Sequence, residues 1–249
     1  MSKKAEQYAI IAGSGFASFG DDAPGLTIST RFGSPSSAVK QLKYADHTVY
    51  VLLRHGEDHR IAPHAINYRA NLAALQLLKV THIIAINTVG VIRSQVKPGQ
   101  LAVPDQLIDY TWGRVHSIYD EPSQELQHID FTEPFPAVLR RALLDAAQGA
   151  DAECHDGGIY GVTQGPRLET AAEVDRYERD GVDYLGMTLM PEASLARELG
   201  MALAPLCLIV NYAAGRGEKA IHEDIADSTM TAKLQAMRVL KRFFEQQGA

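Results

Sequence analysis

The chain has 249 residues, of which 46% are hydrophobic and 22% charged, enough apolar content for one large buried core. Its formal net charge is −6 and no run of Lys or Arg occurs, so it lacks the basic face with which nucleic-acid-binding proteins displace counterions from phosphates. The two cysteines, Cys154 and Cys207, are far apart and form no CxxC pattern, as is common in a reducing compartment.

The polar N-terminal residues run directly into the apolar segment 8–12, which is too short for a signal peptide or a membrane span. We therefore expect a cytoplasmic protein with no membrane partner. Gly and Pro are spread along the chain and no linker-like block divides it, so we expect a single domain over 1–249.

Apolar and β-rich runs recur along the chain and predict strands. Several of them, such as 83–86 and 205–210, show little alternation, which is typical of strands buried on both faces. The predicted strands are 8–13, 48–54, 82–87, 100–109, 158–163, 184–188 and 203–211.

Helical patterns lie between these runs. Gly181 and Gly200 follow two of them at C-cap positions. Alternating strands and helices predict an α/β fold with a central, mostly parallel mixed sheet flanked by helices. The predicted helices are 64–79, 134–147, 169–180, 194–199 and 229–246.

In such sheets, ligands bind beyond the carboxyl ends of the strands. The first strand is followed by Gly13, Ser14 and Gly15, a turn that can present backbone N–H groups and a hydroxyl to an anion. The same turn also occurs where no ligand binds. A dinucleotide-binding GxGxxG motif would need glycine at Ser18, and no P-loop pattern is present.

The second strand ends in Arg54, His55 and Gly56. Arginine offers a planar fork that matches phosphate oxygens, and histidine adds a further donor; the alternative is a surface arginine beside a structural histidine. The nearby acidic and histidine residues do not predict a metal site, because HExxH is absent and Gly56 makes a helix improbable here.

Four more polar residues end or follow predicted strands. Thr88 and Thr188 could turn their hydroxyls to one anion, while Glu169 and Asn211 offer directional hydrogen bonds without a positive charge. A solvated glutamate near a helix start and a turn-forming asparagine are the alternatives. No Ser/His/Asp or Cys/His order supports nucleophilic hydrolysis.

The order of these motifs is distinctive. The chain resembles the trimeric purine nucleoside phosphorylase and methylthioadenosine phosphorylase family over almost its whole length, and most of all the S-methyl-5′-thioinosine phosphorylase branch. The matching stretches are AGSG at 12–15, RHG at 54–56, HAINYRAN at 64–71, DQLIDYT at 105–111, HIDF at 128–131, TQGPRLET at 163–170 and GMTLMPEA at 186–193.

The resemblance implies a role for individual residues and a phosphate co-substrate, with no cofactor and no metal. Arg54, His55 and Asn211 are the implied catalytic residues. His128 would reach the 5′ end of a nucleoside bound by a neighbouring subunit, in a homotrimer or a dimer of trimers. The implied phosphate ligands are Ser14, Arg54, His55, Thr88 and Thr188, and the implied nucleoside contacts are Met187, Glu169, Asn211, Ala213, His128 and His222.

The adenine-specific enzymes of the family carry aspartates where this chain has Asn211 and Ala213. An asparagine amide can donate to a 6-oxo oxygen and accept from a protonated N7, and Glu169 can accept from N1–H, which adenine lacks. We therefore expect a 6-oxopurine base. At the 5′ end of the nucleoside, His222 in the pocket would suit a hydroxyl group, whereas Ile221 in the pocket would suit a thioether.

The resemblance implies that the favoured substrate is S-methyl-5′-thioinosine, cleaved by phosphate at the N-glycosidic bond. The alternatives are 5′-methylthioadenosine phosphorylase and an ordinary inosine or guanosine phosphorylase. Two further alternatives differ in class: an NAD-dependent oxidoreductase, suggested by the strand–GSG turn, and a non-catalytic nucleoside-binding module.

Overall fold

The computed structural model describes residues 6–16, 19–20, 22–44, 47–119, 125–218 and 225–247. The strands in these residues join into one sheet. They are β1 (Tyr8–Ala12), β2 (Gly25–Leu26), β3 (Val39–Tyr44), β4 (His47–Leu53), β5 (His82–Val91), β6 (Leu101–Val103), β7 (Gln106–Asp109), β8 (Cys154–Asp156), β9 (Ile159–Val162), β10 (Tyr184–Gly186) and β11 (Ala202–Tyr212). The helices are α1 (Tyr68–Leu77), α2 (Ala137–Gly149), α3 (Ala171–Arg179), α4 (Leu189–Glu198) and α5 (Ile225–Gln247).

The centre of the sheet is parallel. β1 lies between β4 and β5, and β11 runs alongside β5 over nearly its whole length, all in the same direction. β10 pairs with β5 in the antiparallel sense, and β9 and β7 continue beyond it. The predicted mixed, mostly parallel sheet is therefore confirmed.

Helices cover both faces of this sheet. On one face, Leu72 of α1 and Leu195 of α4 belong to the same apolar cluster as alternate residues of the central strands. On the other face, Leu143 of α2 and Phe243 of α5 belong to a second cluster. Each such side chain, when fully buried, stabilises the fold by about 1.5–3 kcal/mol. Of the helices described, none has the length and apolar character needed to cross a bilayer.

One predicted strand is two strands. The segment 100–109 divides into β6 and β7 around Pro104, which has no N–H to give to a ladder. β6 pairs with β11 and β8, whereas β7 pairs with β9, so the chain changes partners at this point. The strands β2, β3 and β8 were not predicted, because β2 and β8 have only two and three residues and β3 mixes apolar with polar residues.

The predicted helix boundaries are close but shifted. α1 begins after Asn67, whose side chain accepts a hydrogen bond from the Ala70 N–H, and a short 3-10 turn occupies the predicted start at Pro63–Ala65. α4 begins at Leu189, five residues before the predicted start at 194. Gly181 and Gly200 both have the left-handed backbone that ends a helix, as predicted.

Candidate active site

A cavity of about 310 Å³ lies beyond the carboxyl ends of β1, β4 and β10, beside β5 and β11. It brings together residues that are far apart in sequence, as the strand-end argument predicts. The predicted site residues that line it are Ser14, Arg54, His55, Thr88, Glu169, Met187, Thr188, Asn211 and Ala213.

Arg54 follows β4 and is almost fully buried. Its Nε and Nη2 donate to the two carboxylate oxygens of Glu192, each at 2.8 Å, and its Nη1 donates to the Ile86 carbonyl at 2.8 Å. A Cβ on Gly13 would lie 2.6 Å from Arg54 Nη1, so glycine is needed where β1 ends. Burial opposes the charged guanidinium, but the paired carboxylate outweighs it, and the pKa of Arg54 is raised.

Next to Arg54, the His55 ring has its Nδ1 2.7 Å from the Ile61 carbonyl oxygen. Nδ1 therefore carries a proton, and in the neutral ring Nε2 has the lone pair. Burial, together with the charge of Arg54, lowers the pKa of His55 to about 4, so the ring is neutral at pH 7.

His59 stands beside this pair and was not predicted as a site residue. Its ring centroid is 4.6 Å from that of His55, and its Nε2 is 3.2 Å from the Ser14 hydroxyl. It thus links the turn after β1 to the turn after β4. Within the described part of the chain, no three acidic, histidine or cysteine side chains are grouped as metal ligands would be.

The Thr188 hydroxyl oxygen accepts a hydrogen bond from a buried side chain. Asn87 is buried, and its Nδ2 donates to Thr188 Oγ1 at 2.9 Å, which leaves the hydroxyl hydrogen of Thr188 available to a ligand. Thr188 lies at the N-cap of α4, after β10 as predicted. The prediction that Thr88 ends a strand is wrong, because β5 continues to Val91 to pair with β10.

The opposite end of the cavity carries the carboxylate and the amide. Glu169 is half-buried and accepts a hydrogen bond from Thr163 Oγ1 at 2.6 Å. Asn211 is also half-buried, and its Nδ2 donates to the Tyr212 carbonyl at 2.7 Å. Asn211 is the last residue of the predicted strand 203–211, and β11 ends one residue beyond it. It lies at a register irregularity between Ile209 and Asn211, and such irregularities re-aim a side chain.

Two arginines that were not predicted hold the loops at this end. Arg114 donates to the carbonyls of Gln164 at 2.8 Å and Met190 at 2.6 Å, which fixes the segment that leads to Glu169. Arg216 donates to Asp175 and Glu178 of α3, at 2.8 and 2.7 Å. Neither contact has a local sequence signature.

Two predicted contacts are not part of this cavity in the single chain. His128 is exposed, on a segment that Arg197 holds through the carbonyls of Asp130 and Glu133. His222 lies outside the described residues. Ile225 and Thr229 of α5 line the cavity and were not predicted.

The sheet, with a cavity at its strand ends that both polar and apolar residues line, has the arrangement in which α/β proteins bind small molecules. The chain belongs to the phosphorylase superfamily, whose sequence profile matches residues 7–245. This confirms the resemblance found in the motifs.

Three relatives show which kinds of phosphorylase this chain is similar to. The chain is 48% identical over 214 residues, 85% of this chain and 86% of the relative, to a protein of Xylella fastidiosa described as a probable S-methyl-5′-thioinosine phosphorylase. It is 42% identical over 226 residues, covering 88% and 84%, to a 6-oxopurine nucleoside phosphorylase of Pyrococcus furiosus. A mutant adenosine/methylthioadenosine phosphorylase of Schistosoma mansoni in complex with adenine superposes with a TM-score of 0.91 at 28% identity, covering 98% and 91%.

Proposed function

We propose that this enzyme cleaves the N-glycosidic bond of 6-oxopurine nucleosides with inorganic phosphate, and that S-methyl-5′-thioinosine is its favoured substrate. The products would be hypoxanthine and 5-methylthioribose 1-phosphate. The observation that carries the proposal is that one cavity holds hydrogen-bond donors for an anion at one end and an amide with a carboxylate at the other.

At the first end, the donors suit a phosphate. Arginine has five N–H donors, and protein acceptors among the described residues take three of those of Arg54, which leaves two for a ligand. The Thr188 hydroxyl hydrogen is also available, because Asn87 occupies the oxygen as a donor. Ser14 and Thr88 line the same corner.

At the second end, the amide of Asn211 would donate to the 6-oxo oxygen of the base and accept from N7–H. Glu169 would accept from N1–H. Thr163 holds that carboxylate by a 2.6 Å hydrogen bond, so its free oxygen has a defined direction. Adenine has no hydrogen on N1, and a half-buried carboxylate facing that lone pair disfavours it.

The chemistry needs no covalent enzyme intermediate. An oxygen of hydrogen phosphate attacks C1′ as the bond from C1′ to N9 breaks, and the bonding pair leaves with the purine. The purine takes up a proton at N7 from solvent, and the sugar phosphate releases the proton that the hydrogen phosphate carried, so the exchange balances. Positive charge grows on the ribose beside the phosphate and negative charge on the base beside Asn211. Preorganised groups at such positions typically contribute about 3–4 kcal/mol each.

Apolar residues in the cavity lining support a methylthio group at the 5′ position of the substrate. Pro63 and Ile225 border the cavity, and Met187 lies in the same lining where the ribose face would rest. A methylthio group gains from apolar contact, whereas a hydroxyl needs a polar partner. The name of the Xylella relative agrees with this preference. The name of the Pyrococcus relative supports the second candidate, a 6-oxopurine nucleoside with an ordinary 5′-hydroxyl.

We further propose a one-domain, cytoplasmic enzyme that forms a homotrimer, or a dimer of trimers, and uses phosphate without any cofactor. Trp112, Val115 and Leu126 expose 71%, 56% and 62% of their surface on the segments before His128. Another subunit that docked on these segments would bury these apolar side chains. A neighbour docked there would allow His128 to reach a second cavity.

Relative turnover of S-methyl-5′-thioinosine, inosine and 5′-methylthioadenosine at fixed phosphate tests the substrate proposal. We expect the first to have the highest kcat/KM and the last the lowest. A higher kcat/KM for 5′-methylthioadenosine than for S-methyl-5′-thioinosine would contradict the base assignment. A higher value for inosine would contradict the assignment at the 5′ end.

A further inference from the structure

The positive charge of Arg54, at the anion end of the cavity, is balanced by a buried carboxylate that does not line the cavity. Arg54 is 1% exposed and Glu192 0%, and the two share a bidentate ion pair inside the protein. Glu192 lies in α4, one turn beyond Thr188, and does not line the cavity. Among the described lining residues, Arg54 and Glu169 are the only ones with a full charge, and Glu169 belongs to the opposite end.

The neighbouring histidines add no positive charge. The Nδ1–H of His55 is directed to the Ile61 carbonyl, and burial lowers the pKa values of both His55 and His59. Tyr68 and Tyr160, which also surround the ion pair, have raised pKa values because they are buried, and both are neutral at pH 7. The corner formed by Ser14, Arg54, His55 and Thr188 therefore has no net positive charge.

We propose that Glu192 is a positioning residue of the phosphate site: it holds the guanidinium of Arg54 toward the cavity and cancels its charge, so that phosphate is bound by directed hydrogen bonds rather than by net charge. This inference rests on the proposed function. Glu192 and phosphate then share one cation, and each weakens the hold of the other on Arg54. Such coupling is reciprocal and is typically worth 5–150-fold in affinity.

The arrangement suits a reversible exchange of anions. The sugar phosphate product carries its charge in the same corner as the phosphate that enters. A buried, uncompensated arginine would hold both anions tightly, since charges interact strongly away from water. With Glu192 in place, the donors remain directed while the anion remains exchangeable.

Glu192→Gln tests the charge argument, because an amide oxygen can still accept from Arg54 and direct the guanidinium while the counter-charge is lost. We expect the unliganded variant to be less stable, because a buried Arg54 loses its counter-charge, and we expect phosphate to bind on the order of tenfold more tightly. Phosphate dissociation constants would be measured by calorimetry at constant ionic strength, together with inosine binding in phosphate-free buffer, which we expect to stay within about twofold. Unchanged or weaker phosphate binding would overturn the proposal.

Glu198→Gln is the matched control. Glu198 is on the same helix and accepts hydrogen bonds from Ser117 and from the Ile118 N–H, at 2.9 and 2.8 Å, away from the cavity. We expect its phosphate affinity to equal that of the wild type. Glu192→Asp keeps the negative charge, and we expect no tightening of phosphate binding. Tightening in either variant as large as in Glu192→Gln would contradict the charge argument.

If Glu192→Gln does not fold, the wild type still gives an answer. A solvent-accessible site that binds a dianion through net positive charge loses affinity as salt screens it, whereas a site without net charge does not. We expect the phosphate KM to change by no more than about twofold between 0.05 and 0.5 M KCl; a steep rise would contradict the inference. The proposed function fails separately, if base release does not require phosphate.

Discussion

At the anion end of the cavity, Arg54, His55 and Thr188 are buried, and each is fixed by a hydrogen bond to a group behind it, in Glu192, Ile61 and Asn87 respectively. At the base end, Glu169 and Asn211 are half-buried and are carried by a loop and by an irregular part of a strand. If the proposed function holds, the difference means that phosphate binding is built into the core of the sheet. Base recognition would then depend on segments that can change with less cost to the fold.

The largest expected effect is at the buried end. Arg54→Ala should lower kcat/KM by roughly 10²–10³, because a donor aimed at the phosphate is lost. It should also lower the free energy of unfolding by about 3–5 kcal/mol, because Glu192 is left as an uncompensated buried charge. Steady-state kinetics and urea unfolding measure the two effects. Normal stability in the variant would show that Arg54 is not part of the core.

Asn211→Asp should change specificity with little change in stability. The carboxylate cannot donate to a 6-oxo oxygen, so we expect turnover of S-methyl-5′-thioinosine to fall by roughly 10². Turnover of 5′-methylthioadenosine should fall much less or rise. The ratio of the two kcat/KM values is the measurement, and an equal loss on both substrates would contradict the assignment of Asn211 to the base.

Protonation of His55 should destabilise the anion end in acid. The unfolded imidazole takes up a proton below about pH 6.5, whereas the folded one, with a pKa of about 4, does not. Stability should therefore fall as the pH drops from 6.5 to 4, by up to about 3 kcal/mol, and the contribution is absent above 6.5.

The comparison variant is His55→Asn, whose amide can still donate to the Ile61 carbonyl. We expect its loss of stability between pH 7.5 and 4.5 to be smaller than that of the wild type. Unfolding by urea at the two pH values measures it. Equal losses in both proteins would mean that another group is responsible.

The smallest effect is expected at Thr188. Thr188→Val removes one hydroxyl donor, so the phosphate KM should rise about tenfold while the nucleoside KM stays within about twofold. Thr231→Val, at an exposed position of α5, serves as the control. A rise in the nucleoside KM alone would place Thr188 away from the phosphate.

The strand-end residues were predictable because long apolar runs mark buried strands, and the polar residue that ends a run is visible in the sequence. Arg54 and Thr188 were found in this way. Thr88 was assigned to a strand end wrongly, because β5 continues through it to Val91. Asn211 does lie near the end of β11, but nothing local marks the register shift at that residue.

The residues that hold the site residues in place could not be predicted from the sequence. Asn87 and Glu192 reach Thr188 and Arg54 across 101 and 138 residues of sequence, so no local pattern connects them. In the sequence, Glu192 is one residue of the matching stretch 186–193, and nothing there assigns it a role of its own. The same holds for Arg114, which contacts the Met190 carbonyl 76 residues away.

The most direct test of the account is to follow S-methyl-5′-thioinosine by ³¹P NMR and hypoxanthine absorbance together, in phosphate and in phosphate-free buffer. We predict that hypoxanthine and a sugar 1-phosphate appear in equal amounts with phosphate, and that neither appears without it. Release of hypoxanthine at the same rate in phosphate-free buffer, with free 5-methylthioribose as the other product, would contradict the account.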